Sequence, residues 1–137
     1  MIVADTSALV ALLNADDRHH DVVRDLWERD PDAWVIPWAV LPELDYMVRR
    51  HLGARPAELF LGDVATGGFI VEHGQASDLI RAAELDSRHR DLGLGLVDGV
   101  VAAVSERLHA QAIATLDVRH FGVLELSGSP DIYPRDL

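Results

Sequence analysis

Met1-Ile2-Val3-Ala4-Asp5-Thr6-Ser7 opens the chain: three buried-type apolar residues closed by an acid and followed by two hydroxyl residues. Ile2 to Ala4 reads as a short buried strand. Thr6-Ser7 reads as a turn and helix cap before Ala8-Leu9-Val10-Ala11-Leu12-Leu13. A strand that runs at once into a helix is the first half of a βα unit, and the rest of the chain repeats that grammar.

Asp16-Asp17 reads as the cap of a second helix, with Val22, Val23, Leu26 and Trp27 at helical spacing until Asp30-Pro31-Asp32 breaks it. Trp34-Val35-Ile36, ended by Pro37, is the second strand. From Trp38 to Leu52 the apolar positions Val40, Leu41, Leu44, Met47, Val48 and Leu52 share one helical face, which tolerates Pro42 only in its first turn. Gly53 stops that helix, and another spans Pro56 to Val64, ended by Gly67-Gly68. Phe69-Ile70-Val71 is a third strand, Ser77 to about His89 a helix, and Gly93-Leu94-Gly95-Leu96 a loop free to flex. Val97 to His109 is a strongly apolar helix, Ala112 to Thr115 a fourth strand, and Ile132-Tyr133 a candidate fifth. Strands alternating with helices imply an α/β domain with a mostly parallel sheet, right-handed crossovers and helices on both faces. The length suits one domain over residues 1–137, without internal repeat or linker.

Composition narrows the chemistry. The chain has no cysteine, which excludes disulfides, zinc–thiolate sites and thiol nucleophiles. All 12 of its Lys and Arg residues are arginine. Walker-A NTPases need a lysine for the phosphates, and phosphoaspartyl enzymes usually need one as well, so both classes are disfavoured. A net charge of −11 opposes loose, charge-driven binding of nucleic acid, yet permits a nuclease whose metal ions and a few arginines form a local positive patch. The N-terminus lacks the basic start of a signal peptide, and no apolar stretch approaches the roughly 20 residues of a membrane span. The expectation is a soluble, cytoplasmic protein that does not enter a membrane.

Four carboxylates stand at the ends of apolar segments. Asp5 closes the first strand, Glu43 lies near the start of the helix after the second, Asp98 opens the apolar helix, and Asp117 follows Thr115-Leu116 at the end of the fourth strand. Each has an ordinary explanation alone, as a turn acid or as a first-turn acid that complements a helix dipole. Jointly they converge on one edge of one sheet, where α/β proteins bind ligands. Like charges at about 4 Å cost roughly 4 kcal/mol per pair at an effective dielectric near 20, so such a cluster holds either protons or cations. With oxygen ligands only, the fitting cation is Mg²⁺ or Mn²⁺. Thr6, Ser7 and Thr115 are candidates to orient the carboxylates, although capping explains Thr6 and Ser7 as well. Arg119 and His120 follow the last acid and are candidates to meet a phosphate, with a solvated loop as the ordinary alternative; Phe121 suits an anchor for that loop, and no histidine is assigned to metal.

The order of these segments resembles the PIN-domain ribonucleases, in particular the VapC-type toxins of bacterial toxin–antitoxin pairs. Asp5-Thr6-Ser7 looks like the family's first motif, and Glu43-Leu44 its second acid. Asp98 with Val100-Val101-Ala102-Ala103 looks like the third, and Thr115-Leu116-Asp117 with His120-Phe121 the fourth. Asp17 and His20 match an aspartate-then-histidine feature of the second helix, where a cap and a solvated face are the simpler account. Pro42 directly before the second acid is not part of the pattern.

The resemblance covers essentially the whole chain and implies a PIN-like three-layer α/β/α fold with four to five strands. It implies a Mg²⁺-dependent endoribonuclease whose metal ligands are Asp5, Asp98, Glu43 and Asp117, an RNA substrate, a VapB-like antitoxin and a homodimer. Two other classes remain open to the sequence: a catalytically weak interaction module of PIN-like fold, and another metal-dependent phosphoesterase such as a DNA nuclease. Four intact acids speak against the first, and the short acidic chain against the second.

Overall fold

Three-residue strands suffice at the centre of the sheet because Ile2–Ala4 and Ala112–Ala114 are buried on both faces, whereas the edge strand Ile70–Glu72 is exposed to half-buried. In the computed structural model, which describes residues 1–137, β1 (Ile2–Ala4) lies in the middle of a five-stranded sheet and all three of its residues are buried. β2 (Trp34–Pro37), β3 (Ile70–Glu72), β4 (Ala112–Ala114) and β5 (Asp131–Tyr133) complete the order β3-β2-β1-β4-β5, with every neighbouring pair parallel. Parallel strands covered on both sides are apolar throughout rather than alternating, as Ile2-Val3-Ala4 and Ala112-Ile113-Ala114 are.

Seven α-helices join the strands: α1 (Thr6–Leu13), α2 (His20–Arg29), α3 (Val40–Leu52), α4 (Ala54–Ala65), α5 (Ala76–Arg88), α6 (Gly95–Arg107) and the short α7 (Val118–Phe121). The chain first builds the sheet on one side of β1, through β2 and β3, then returns to add β4 and β5 on the other. The β1/β4 junction is therefore a topological switch point, and the crevice outside the carboxyl ends of its strands is where open α/β sheets bind ligands. Ile2 pairs with Ala112, Val3 with Ile113 and Ala4 with Ala114, so Asp5 and Thr115 leave the sheet side by side.

α6 is the central helix of one face. Every residue from Gly99 to Ser105 is buried, and its packing against α5 is close enough that a Cβ on Gly99 would lie 2.9 Å from the Ala82 Cβ. Only glycine permits that approach. The pair is also clamped by charge. Arg107, at the end of α6, donates to Asp78 Oδ1 and Oδ2 at 2.8 and 2.9 Å and to Glu72 Oε1 at 2.6 Å. Asp78 Oδ2 in turn accepts the Gln75 backbone N–H at 2.8 Å and caps α5. The Arg107 guanidinium holds Glu72 below its ordinary carboxylate range. Burial works against the charge on Asp78, but Arg107 and the Gln75 N–H outweigh it and leave that group lowered too.

The sheet has five strands and is wholly parallel, within the expected architecture. Three local expectations are corrected. The second helix begins at His20, not at Asp16-Asp17; Asp17 Oδ1 instead accepts the His19 N–H at 2.8 Å in the preceding turn. His20 is an anchor, with Nδ1 2.8 Å from the Ala11 carbonyl oxygen. The Gly93–Leu96 segment is no free loop: Leu94 is buried in the core, Gly93 adopts the left-handed conformation after a 3₁₀ turn, and α6 starts at Gly95. Asp98 consequently lies within the first turn of α6 rather than opening it. The third helix starts at Val40, which puts Pro42 in its first turn, where no N–H is required.

Candidate active site

Asp5 is the best-determined of the four acids. Its backbone N–H donates to the Ala114 carbonyl at 2.9 Å, continuing the β1–β4 pairing one residue past the strand, and the residue is only 3% exposed. Its Oδ2 accepts from Thr115 Oγ1 at 2.8 Å and from Ser7 Oγ at 3.0 Å. The same two hydroxyls tie down the β4–α7 turn. Ser7 Oγ accepts the Leu116 N–H at 2.9 Å, and Thr115 Oγ1 accepts the Asp117 N–H at 3.0 Å. Ser7 and Thr115 therefore orient carboxylate and turn together, leaving the second oxygen of Asp5 without a side-chain donor. Burial raises the Asp5 pKa above its ordinary value, against the lowering by Thr115, Ser7 and the Thr6 backbone; Glu43 adds repulsion. Thr6 does not act as expected: its hydroxyl is buried without a hydrogen-bond partner and orients no carboxylate.

Asp98 comes to the same place from α6. Its pKa is pushed up to about 6, chiefly by burial; the His120 hydrogen bond lowers it, while Asp5 and Asp117 raise it. Asp117 caps α7, accepting the His120 N–H on Oδ1 at 3.1 Å. One turn on, His120 Nδ1 lies 2.5 Å from Asp98 Oδ2 and 3.1 Å from Asp117 Oδ2. The Asp98 contact foremost raises the His120 pKa, with help from Asp117 and the Leu92 backbone. His120 is thus a member of the acidic cluster, a contact with Asp98 and Asp117 that the sequence reading did not include. The sequence signal was present in the three-residue spacing from Asp117, but Asp98 was invisible to it. Arg119 is exposed and makes no ion pair, and Phe121 is buried beneath the turn. Glu43 is exposed at the first turn of α3.

All four acids line one cleft of about 380 Å³, together with Thr6, Ser7, Met47 and Leu94 to Val97. Its donors are carboxylate oxygens and one imidazole, and Asp98, Asp117 and His120 each offer an atom within 4.8 Å of the others. Two carboxyls with raised pKa values, one free Asp5 oxygen and a single partly compensating histidine form a set short of positive charge. That set fits a hard divalent cation.

The sequence profile of the PIN domain matches residues 2–124. The chain belongs to the PIN domain family. This PIN domain is 30% identical over 127 residues to Ribonuclease VapC26 of Mycobacterium tuberculosis, covering 93% of this chain and 94% of that protein. Its fold is similar to the crystal structure of Mycobacterium tuberculosis VapC20, a sarcin–ricin loop cleaving toxin, with TM-score 0.82 and 27% identity over 95% of this chain and 99% of that one. The DNA-bound VapBC of Salmonella typhimurium superposes with TM-score 0.70 at 15% identity, over 96% of this chain and 95% of that one, a likeness of fold alone. The VapC-type resemblance of the motifs and the α/β/α architecture both agree with these matches.

Proposed function

We propose that this PIN domain is a divalent-metal-dependent endoribonuclease, the VapC-type toxin of a type II toxin–antitoxin pair acting in the cytoplasm. The observation that carries the reading is the convergence of Asp5, Asp98, Asp117 and Glu43 on one cleft at the β1/β4 switch point, with Asp5 held by Ser7 and Thr115. The relation to a protein named a ribonuclease supports it.

Asp5, Asp98 and Asp117, with Glu43 at the rim, would hold Mg²⁺ or Mn²⁺. A bound ion of this kind supplies an acidified water for in-line attack on a phosphodiester and offsets charge on the leaving oxygen. The chain's own residues do the positioning. Ser7 and Thr115 fix one oxygen of Asp5 and leave the other for the cleft. His120 places Nδ1 against Asp98 and Asp117 and joins α7 to α6 at the cluster. Leu94, Val97 and Met47 give the cleft an apolar wall that limits water. No lysine is needed in this scheme, in keeping with a chain that has none.

A VapB-like antitoxin would block the site with a cationic side chain aimed at Asp5 and Asp98. Half-buried Leu12, Leu13, Trp27 and Met47 are available to its helical part, whereas Val40 is wholly core. The toxin itself would work as a homodimer. No helix is long and apolar enough to cross a membrane. The deciding experiment is metal-dependent cleavage of RNA by the isolated chain, abolished in Asp98→Asn and suppressed by a co-expressed VapB-like antitoxin. An unsubstituted chain that leaves RNA intact in Mg²⁺ and in Mn²⁺ sinks the proposal.

A further inference from the structure

Arginine is used in two ways in this molecule. Arg24, Arg49, Arg81, Arg107 and Arg135 are each bound to a neighbouring carboxylate. Arg88, Arg90 and Arg119 are exposed and make no ion pair or side-chain hydrogen bond, although the chain carries a net charge of −11. Arg88 and Arg90 line one hollow, and Arg119 stands on α7 between the cleft acid Asp117 and His120. Arg88 to Leu92 and Val123 line a hollow of about 520 Å³, and the same strand of chain continues through Leu94 to Asp98 along the wall of the cleft. The Leu92 backbone favours the charged ring of His120, the residue after Arg119, and the Val123 N–H donates to the His120 carbonyl at 3.4 Å. The basic turn, α7 and the acid cluster are therefore one continuous surface.

The turn is also held in place. The Leu92 N–H donates to the His89 carbonyl at 2.9 Å, the Gly93 N–H to the Arg90 carbonyl at 3.1 Å, and Leu94 is buried just beyond. A single acid, Asp91, shares the hollow with Arg88, His89 and Arg90. The other arginines without a carboxylate partner, Arg18, Arg29, Arg50 and Arg55, line neither the hollow nor the cleft; Arg119 lines neither too, but it follows the cleft acid Asp117 by two residues on α7.

We infer that the Arg88-His89-Arg90 turn, with Arg119, is the track that grips the RNA backbone next to the bond to be cut. The inference rests on the ribonuclease reading above and adds to it the residues that position the strand. Long-range electrostatics repel a polyanion from this chain, so RNA is retained only where guanidinium groups meet phosphates directly, and the planar fork of arginine suits that contact better than lysine. The unpaired arginines of the hollow and of α7 supply those contacts on the segments that lead to Asp98 and follow Asp117.

The test measures binding of single-stranded RNA to the Asp98→Asn chain across a salt series, with Arg88→Ala/Arg90→Ala added. Affinity at low salt should fall roughly tenfold, and the slope of log affinity against log salt should shrink by about 1.4, roughly 0.7 for each lost phosphate contact on a single strand. Arg88→Lys/Arg90→Lys should retain the slope, and Arg29→Ala/Arg55→Ala, with the same change in charge, should leave it unaltered. In the active chain the alanine pair should raise KM with kcat preserved. If the alanine pair shows the parental slope and KM while the parent cleaves RNA, the track is refuted and the ribonuclease reading stands. A parental slope together with weakened antitoxin binding also refutes it, assigning the turn to the protein partner. A parent that neither binds nor cleaves RNA removes both.

Discussion

His120 Nδ1 lies 2.5 Å from Asp98 Oδ2, joining α7 to the first turn of α6 across 22 residues of sequence. It is the one imidazole in contact with two of the four acids that line the cleft, and Arg119 next to it is exposed and makes no ion pair. The pairing raises the His120 pKa and works against the burial that raises Asp98.

The first prediction follows from the sign of that arrangement. Asp98 has a folded-state pKa of about 6 against an ordinary 3.8, so its contribution to stability is fully present below the ordinary value and is lost as pH rises through about 6. His120 is likewise raised, and its contribution is lost at higher pH still. Asp98→Asn should therefore melt above the parent in chelator, by a margin that widens from acid to alkaline pH. Mg²⁺ should raise the parental Tm, by about 2.7 kcal/mol of stability at a hundredfold excess over Kd, and leave the variant unmoved. Thermal melts in chelator and in Mg²⁺ over a pH series decide it; a parent unaffected by Mg²⁺ or Mn²⁺ contradicts the metal assignment.

Thr115→Val should keep the fold and remove one of the two hydroxyls that hold Asp5 Oδ2. Losing an orienting partner of a metal ligand typically costs roughly 10- to 100-fold in affinity or activity. Titration calorimetry with Mn²⁺ and RNA cleavage should both show that loss, with Thr115→Ser restoring most of it. Asp5→Asn should cost more in rate than Thr115→Val, with RNA affinity retained or raised.

Arg107→Ala should cost about 3 kcal/mol, toward the low end for breaking a buried ion pair, because the Arg107 side chain is 21% exposed while Asp78 is only 4%. Glu72 and Asp78 have lowered folded-state pKa values, so their contribution is present above the ordinary carboxylate range and lost as pH falls through the lowered ones. Urea unfolding should accordingly show a gap between parent and variant at neutral pH that closes below about pH 4. A gap independent of pH would deny the charge role of the clamp.

Gly99→Val should destabilise the protein by about 1–3 kcal/mol through overpacking, since the first carbon added already meets the Ala82 Cβ at 2.9 Å. Gly99→Ala should also destabilise, by less, and adding Ala82→Gly to it should recover part of that loss. Equilibrium unfolding of the two single variants and the double gives the coupling directly.

The sequence alone marked Ile2 to Ala4, Trp34 to Ile36 and Ala112 to Thr115 as strands, with helices between them and an acid just after the first and the last of these. Those features are local: apolar runs, turn residues and helical spacing report burial within a few residues of themselves. They also placed Asp5, Glu43, Asp98 and Asp117 on one edge, because strands of a parallel sheet all end on the same side. Where the pattern was ambiguous it misled. Two glycines around Leu94 looked mobile, yet burial of that leucine pins the segment. Asp16-Asp17 resembled a helix cap, yet the helix waits until the Ala11 carbonyl can hold His20.

What only the tertiary structure decided is which side chains meet. Thr115 reaches Asp5 across 110 residues because β4 inserts beside β1 rather than beside β3. Arg107 reaches Asp78 across 29 because α6 packs against α5 along Gly99. His120, a candidate phosphate contact by sequence, meets Asp98 for the same reason. Hydrogen bonds and ion pairs act over about 3 Å with strict geometry, and no periodicity in a sequence carries the crossing of two helices or the order of strands to that precision.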